Sequence, residues 1–110
     1  MLLPNAEKAV VEIKKLTEYI LDPEHPDGKH KARLFAGALG LGRENAEDLR
    51  MAFLYAVKTN EATYGKFDRF GQRYTVDFLF EWQGRHAIIR SGWIIEHDSD
   101  IPRLTTAYPV

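Results

Sequence analysis

Lys29, His30, Lys31 and Arg33 fall within five consecutive residues, and the stretch from 29 to 43 carries these cations and Arg43 with no acid at all. Far along the chain come Arg90, alone in an apolar run, and then Thr106 and Tyr108, a hydroxyl and a phenol two residues apart. These residue types suit one chemistry in particular. Cleaving RNA without a metal needs a base for the 2′-hydroxyl, an acid for the leaving oxygen, and cations against the charge that develops on phosphorus. Histidine is the residue type suited to exchange a proton at neutral pH, so His30 can act as base or acid. Tyr108 can hold or deliver a proton, and Arg33 and Arg90 supply positive charge. The expected catalytic residues are therefore His30, Arg33, Arg90 and Tyr108, with Lys29, Lys31 and Thr106 contacting substrate. A helix beginning at Lys29 would add unpaired backbone N–H groups and a favourable dipole for phosphate. Exposed aromatics such as Tyr64 or Trp93 would stack on bases.

Each of these features has a plainer alternative. The basic run also reads as a solvated helix end, Arg90 can pair with Asp77 or Glu96, and Thr106 and Tyr108 are ordinary strand residues. The four histidines, His25, His30, His86 and His97, lack metal-ligand spacing, and only His25 and His30 are near enough to converge, with Glu24 or Asp27. No metal and no cofactor is expected. The chain has no cysteine, which removes thiolate nucleophiles, thiolate metal sites and disulfides. Serine-hydrolase elbow, phosphate-binding loop, zinc-protease helix and calcium loop are all missing. Gly40-Leu41-Gly42 follows a helix pattern, so it stops a helix and does not cradle a phosphate. The rival to an enzyme is a non-catalytic interaction domain that binds a protein through exposed strand edges and aromatics.

With 110 residues, 45% hydrophobic and 28% charged, the composition is that of a globular chain with room for one core. One domain over 1–110 is expected, with a helical part at 1–59 and a sheet part at 72–110. The net charge of −1 conceals a local +4 over 29–43, flanked by −3 before it and −2 after it. No apolar run is long enough to span a membrane, and the first residues lack a basic stretch followed by an apolar one. The expected location is the cytoplasm, with no membrane partner.

The elements that must position these residues follow from periodicity. Ala9, Ile13, Leu16 and Ile20 predict an amphipathic helix, firm from about Val11 because Val10-Val11 leaves a short strand open at its start. Asp22-Pro23-Glu24-His25-Pro26-Asp27-Gly28 must be a loop. Ala32, Phe35, Ala36 and Leu39 predict a second helix from Lys29 or His30, its far side carrying His30, Arg33 and Gly37. Asn45 and Asp48 form a plausible cap for a third helix bearing Ala46, Leu49, Phe53 and Val57. Residues 60–71, polar and glycine-punctuated, hold a short edge strand or only a connection. Tyr74, Val76, Phe78, Phe80 and Trp82 then alternate with polar residues, Gln83-Gly84 makes a turn, and a strand runs from Arg85 to Glu96, predicting a hairpin. After a turn at 97–102, a last strand spans Arg103 to Tyr108 with Leu104, Thr106 and Tyr108 on one side. The fold class is α+β, with two to three N-terminal helices on one face of a C-terminal antiparallel sheet of three to four strands.

Several strings together resemble a small uncharacterised bacterial domain family. They are Leu3-Pro4-Asn5-Ala6, Lys15-Leu16 with Tyr19, Pro23-Glu24-His25-Pro26, Gly28-Lys29-His30-Lys31-Ala32-Arg33 with Phe35, and Ala38-Leu39-Gly40. The likeness continues through Gly71-Gln72-Arg73-Tyr74, Asp77, Arg90-Ser91, Trp93-Ile94, Pro102-Arg103-Leu104, Thr106 and Tyr108, and covers nearly the whole chain. Members of that family occur as short stand-alone proteins and at the C-termini of large secreted toxins. The resemblance implies a toxin-like effector, RNA as substrate, and a cognate antitoxin or immunity protein as partner. The helices-then-sheet order is similar to the barnase, EndoU, colicin and RelE group of metal-independent ribonucleases, an analogy of fold. His30, Lys31, Arg33, Arg90, Thr106 and Tyr108 are the positions it carries over.

Overall fold

The structure, a computed structural model, describes residues 1–110. Three helical segments precede a four-stranded antiparallel sheet, so the architecture is α+β. The segments are α1 (Ile13–Lys15, continued by a π-helical turn at Leu16–Ile20), α2 (Lys29–Leu39) and α3 (Ala46–Thr59). The strands are β1 (Ala62–Asp68), β2 (Gly71–Trp82), β3 (Arg85–Glu96) and β4 (Arg103–Pro109), neighbours in chain order. No helix is long and apolar enough to cross a membrane.

The start of the chain departs from the expected helix. Val10 stays extended and bridges β4 in parallel, its N–H donating to the Pro102 carbonyl (2.9 Å) and its carbonyl accepting from Leu104 N–H (3.0 Å). Two adjacent β-branched residues favour that conformation, so helix begins only at Ile13. Gly28 is dictated by a close approach: a Cβ there would lie 1.9 Å from the Tyr19 carbonyl oxygen, with no room for any side chain. Gly40 ends α2 in the left-handed region at φ 70°, which lets Leu41 N–H reach back to the Phe35 carbonyl at 3.2 Å. Asn45 does not cap α3 through its side chain; its Oδ1 instead accepts from Gly42 N–H at 3.0 Å, stabilising a 3₁₀ turn at Arg43–Asn45.

Helices and sheet meet in a core of 22 buried residues, including Phe35 and Leu39 of α2, Leu49, Phe53 and Val57 of α3, and Val76, Phe78, Ile89, Trp93, Leu104 and Ala107 of the sheet. Ser91 is the buried polar residue on that face. Its Oγ donates to the Val76 carbonyl (2.7 Å) and accepts from Trp93 Nε1 (2.9 Å), so the indole N–H and the hydroxyl are both satisfied out of water. Trp93 is therefore a core residue and offers no surface to a base, whereas Tyr64 on β1 is 69% exposed.

β4 carries the other correction. Gly92 pairs with Thr106 and Trp93 with Leu104, leaving Thr105 as the extra residue of a β-bulge. One extra residue shifts the alternation by one, so Leu104 and Ala107 both face the helices while Thr106 and Tyr108 face away. Leu104 does not share a side with Thr106 and Tyr108.

Candidate functional site on the open face of the sheet

All three helices pack on one side of the sheet, so the alternate residues of each strand form a face with no helix over it. Antiparallel register sets these residues in rows. Thr75, Gly92 and Thr106 make one row; Asp77, Arg90 and Tyr108 make the next. Beyond them Leu79 faces Ile88, and Val110 N–H donates to the Ile88 carbonyl at 2.8 Å, which continues the row onto the C-terminal residue.

Arg90 sits at the centre of this face. Its Nε donates to Asp77 Oδ1 at 3.0 Å and its Nη2 to Oδ2 at 2.9 Å, a two-point clasp that fixes the guanidinium plane and leaves the Nη1 side of the fork free. Hydrogen bonding and charge from Asp77, followed by the neighbouring Tyr108 hydroxyl, hold Arg90 above its ordinary pKa, so it is a fixed cation. Half of its side chain remains open to solvent despite the pairing. In the adjacent row, the Thr106 Oγ1 is shielded from water and has no hydrogen-bond partner. A cation, a carboxylate, a phenol and hydroxyls thus share one open surface, a set able to hold a phosphate ester and to move protons beside it.

The residues expected on α2 are assembled elsewhere. Ala32, Phe35 and Leu39 are buried toward the sheet, which turns His30, Arg33 and Gly37 to the opposite side of the helix, where all three are exposed. Lys29, Lys31 and Arg33 form no ion pair with any acid. Lys31 and Lys15 both place their Nζ against the Tyr19 ring, at 5.2 and 5.6 Å from its centroid. Just before α2, His25 Nδ1 accepts from the backbone N–H groups of Asp27 (3.0 Å) and Gly28 (2.9 Å), and Lys29 N–H bonds the His25 carbonyl. Between the α2 cations and Arg90 lie the packed side chains of Phe35, Ile89, Trp93 and Ala107. The expected cleft between helix and sheet is filled with core, so the candidate residues divide into two sets, Arg90, Thr106 and Tyr108 on the sheet and Lys29, His30, Lys31 and Arg33 on the helix.

Asp77 is the residue of this site that sequence reasoning treated only as a possible partner for Arg90. The signal for more was present, since counting back from the Gln83-Gly84 turn puts Asp77 opposite Arg90.

A family model described as a domain of unknown function (DUF6883) matches residues 2–110. No curated protein matches the sequence. Among solved structures, a chain of a contact-dependent growth inhibition toxin–immunity protein complex from Klebsiella pneumoniae 342 superposes with a TM-score of 0.68 at 19% identity, covering 94% of this chain and 95% of that one. At that identity the likeness is one of fold.

Proposed function

The chain belongs to the DUF6883 family, and from that footing we propose that it is a toxin-like, metal-independent endoribonuclease whose chemistry takes place on the open face of the sheet. The observation that carries this reading is the row Asp77–Arg90–Tyr108, three chemically complementary side chains in register on adjacent strands of a face that no helix covers. The shared fold with a chain of a toxin–immunity complex supports a place in a toxin–immunity pair, with a cognate protein as partner. In this reading the free side of the Arg90 fork takes a non-bridging oxygen of the scissile phosphate and balances its growing charge. The 2′-oxygen attacks phosphorus as its proton passes to the Asp77 carboxylate. The bond from phosphorus to the 5′-oxygen breaks as the Tyr108 phenol protonates the leaving oxygen, giving a 2′,3′-cyclic phosphate and a 5′-hydroxyl. A proton returned from Asp77 to Tyr108 through water resets the site. Thr106 stands in the adjacent row with its hydroxyl shielded from solvent, and supports the face beside Arg90. The cations Lys29, Lys31 and Arg33, with His30, act as a separate surface that attracts the phosphates of a longer RNA.

Incubating the purified chain with structured RNA in EDTA tests the proposal. Cleavage should persist in chelator and fall by about 10²–10³ in a folded Arg90→Ala protein, the scale of losing one transition-state charge contact. Intact RNA with the wild-type protein, or undiminished cleavage by Arg90→Ala, overturns it.

A second reading rests on the exposed strip Leu79, Ile88 and Val110 at one end of the same face. There the face docks a protein and performs no chemistry. Leu79→Glu then abolishes partner binding, while Arg90→Ala leaves both binding and cellular toxicity unchanged.

A further inference from the structure

At the end of the open face opposite the Leu79 strip, the β1–β2 turn and the β3–β4 loop form an open hollow of about 390 Å³ lined by the exposed residues Arg69, Phe70, Glu96, His97, Asp98 and Ser99. Its charges are distributed unusually. Glu96 is paired with Arg103 (3.2 Å), and just outside the cavity Asp68 is paired with Arg73 (2.9 Å). Arg69 and Asp98 share the cavity yet form an ion pair neither with each other nor with any other residue. One free guanidinium and one free carboxylate stand apart across one small space, which suits a neutral ligand with acceptors on one edge and donors on another. A second phosphate site is disfavoured, because two carboxylates line the wall.

The other walls are shaped for a flat ring. The Arg69 guanidinium lies over the Phe70 ring, 4.8 Å from its centroid, and the Phe70 side of that pair remains exposed. His97 is held in place: its Nε2 lies 2.8 Å from the Asp68 carbonyl oxygen, which can only accept, so Nε2 is the donor of that bond. Phe67 grips the imidazole edge-on at 5.3 Å, which fixes its plane.

We infer that this cavity is a nucleobase pocket and that the base it prefers is guanine. Guanine offers N1–H and N2–H₂ donors to the Asp98 carboxylate and O6 and N7 acceptors to Arg69, while its ring, coplanar with the guanidinium, extends over the exposed part of Phe70. Adenine, uracil and cytosine each reverse or lack part of that pattern. The inference rests on reading the open face as an RNA surface. Arg90 and Glu96 are six residues apart on β3, or about 20 Å along the strand, a span that an extended single strand crosses in a few nucleotides. The pocket would then set which nucleotide lies at a fixed distance from the scissile phosphate.

Titration of ¹⁵N-labelled protein with each of the four 5′-nucleoside monophosphates, followed by amide chemical shifts, tests it. Guanosine monophosphate should shift Arg69, His97 and Ser99 and bind at least tenfold more tightly than the other three, and Asp98→Asn, a change at an exposed loop residue, should erase that preference. Four nucleotides binding alike, no shifts at those residues, or a preference that survives Asp98→Asn overturns the inference. The outcome is separable from the fate of the ribonuclease reading. Selective guanosine monophosphate binding by a chain that leaves RNA intact upholds the pocket and removes the enzyme; chelator-resistant cleavage with no nucleotide preference removes the pocket and keeps the enzyme.

Discussion

On the helix side of the sheet, Val76, Ile89, Ser91, Trp93 and Ala107 are fully buried, and the one hydroxyl among them has both a donor and an acceptor partner. One residue along each strand, Asp77, Arg90 and Tyr108 meet water, and the neighbouring Thr106 hydroxyl has no partner. Strand alternation, shifted by one at the Thr105 bulge, separates the two populations. The difference teaches that this chain spends its packing on one face and keeps charged and phenolic side chains on the other. Substitutions on the two faces should therefore fail in different ways.

The largest effect belongs to the buried face. Trp93→Ala removes the biggest core side chain and the indole N–H that donates to Ser91 Oγ, and urea denaturation should show a loss of about 3–5 kcal/mol; a mild loss would mean that the core relaxes around the gap and that the two faces are less distinct than described. Next comes Arg90→Lys. A lysine keeps the charge but not the two-point clasp on Asp77, so RNA cleavage should fall at least tenfold while the denaturation midpoint scarcely moves. A parallel loss of stability would place Arg90 among the structural residues. His30→Ala combined with Arg33→Ala should have a smaller effect, a few-fold loss of RNA affinity that vanishes in high salt, because these exposed cations sit apart from Arg90. A loss matching that of Arg90→Ala would bring α2 into the reaction.

The smallest effect concerns the turn that joins β1 to β2. The Arg73 side chain and then the Phe70 backbone N–H hold the Asp68 carboxyl below its ordinary value. A carboxyl depressed in the folded state stabilises above its unfolded pKa near 3.8 and loses that contribution as pH falls through the lowered folded value. Asp68→Asn should thus be slightly less stable than wild type at neutral pH, and the gap should close below pH 4. A gap that is constant across this range would assign the difference to something other than the ion pair.

The second and third helices and the β2–β3 hairpin were legible because burial on one side writes a period into the sequence: Ala32, Phe35 and Leu39 at helical spacing, Tyr74, Val76 and Phe78 at strand spacing. β1 was hidden for the converse reason. It is an edge strand with five consecutive exposed residues, Thr63 to Phe67, so no alternation marks it. The facing of β4 was missed because a bulge at Thr105 leaves no signature in residue type, yet it decides that Tyr108 joins Arg90 and that Leu104 does not. The cap before α2 was not legible because it comes from His25, whose ring nitrogen replaces the usual short polar cap from a loop position that propensity rules do not weigh. What periodicity could not supply was which side of the sheet α2 occupies relative to Arg90, a matter of tertiary layering that fills the expected cleft with Phe35 and Trp93.

The most direct measurement is a chemical-shift map of the protein bound to an RNA oligonucleotide with 2′-deoxy substitutions that block cleavage. Shifts concentrated on Asp77, Arg90, Thr106 and Tyr108 are the predicted result. Shifts confined to the outer side of α2, with the sheet residues unmoved, would contradict it.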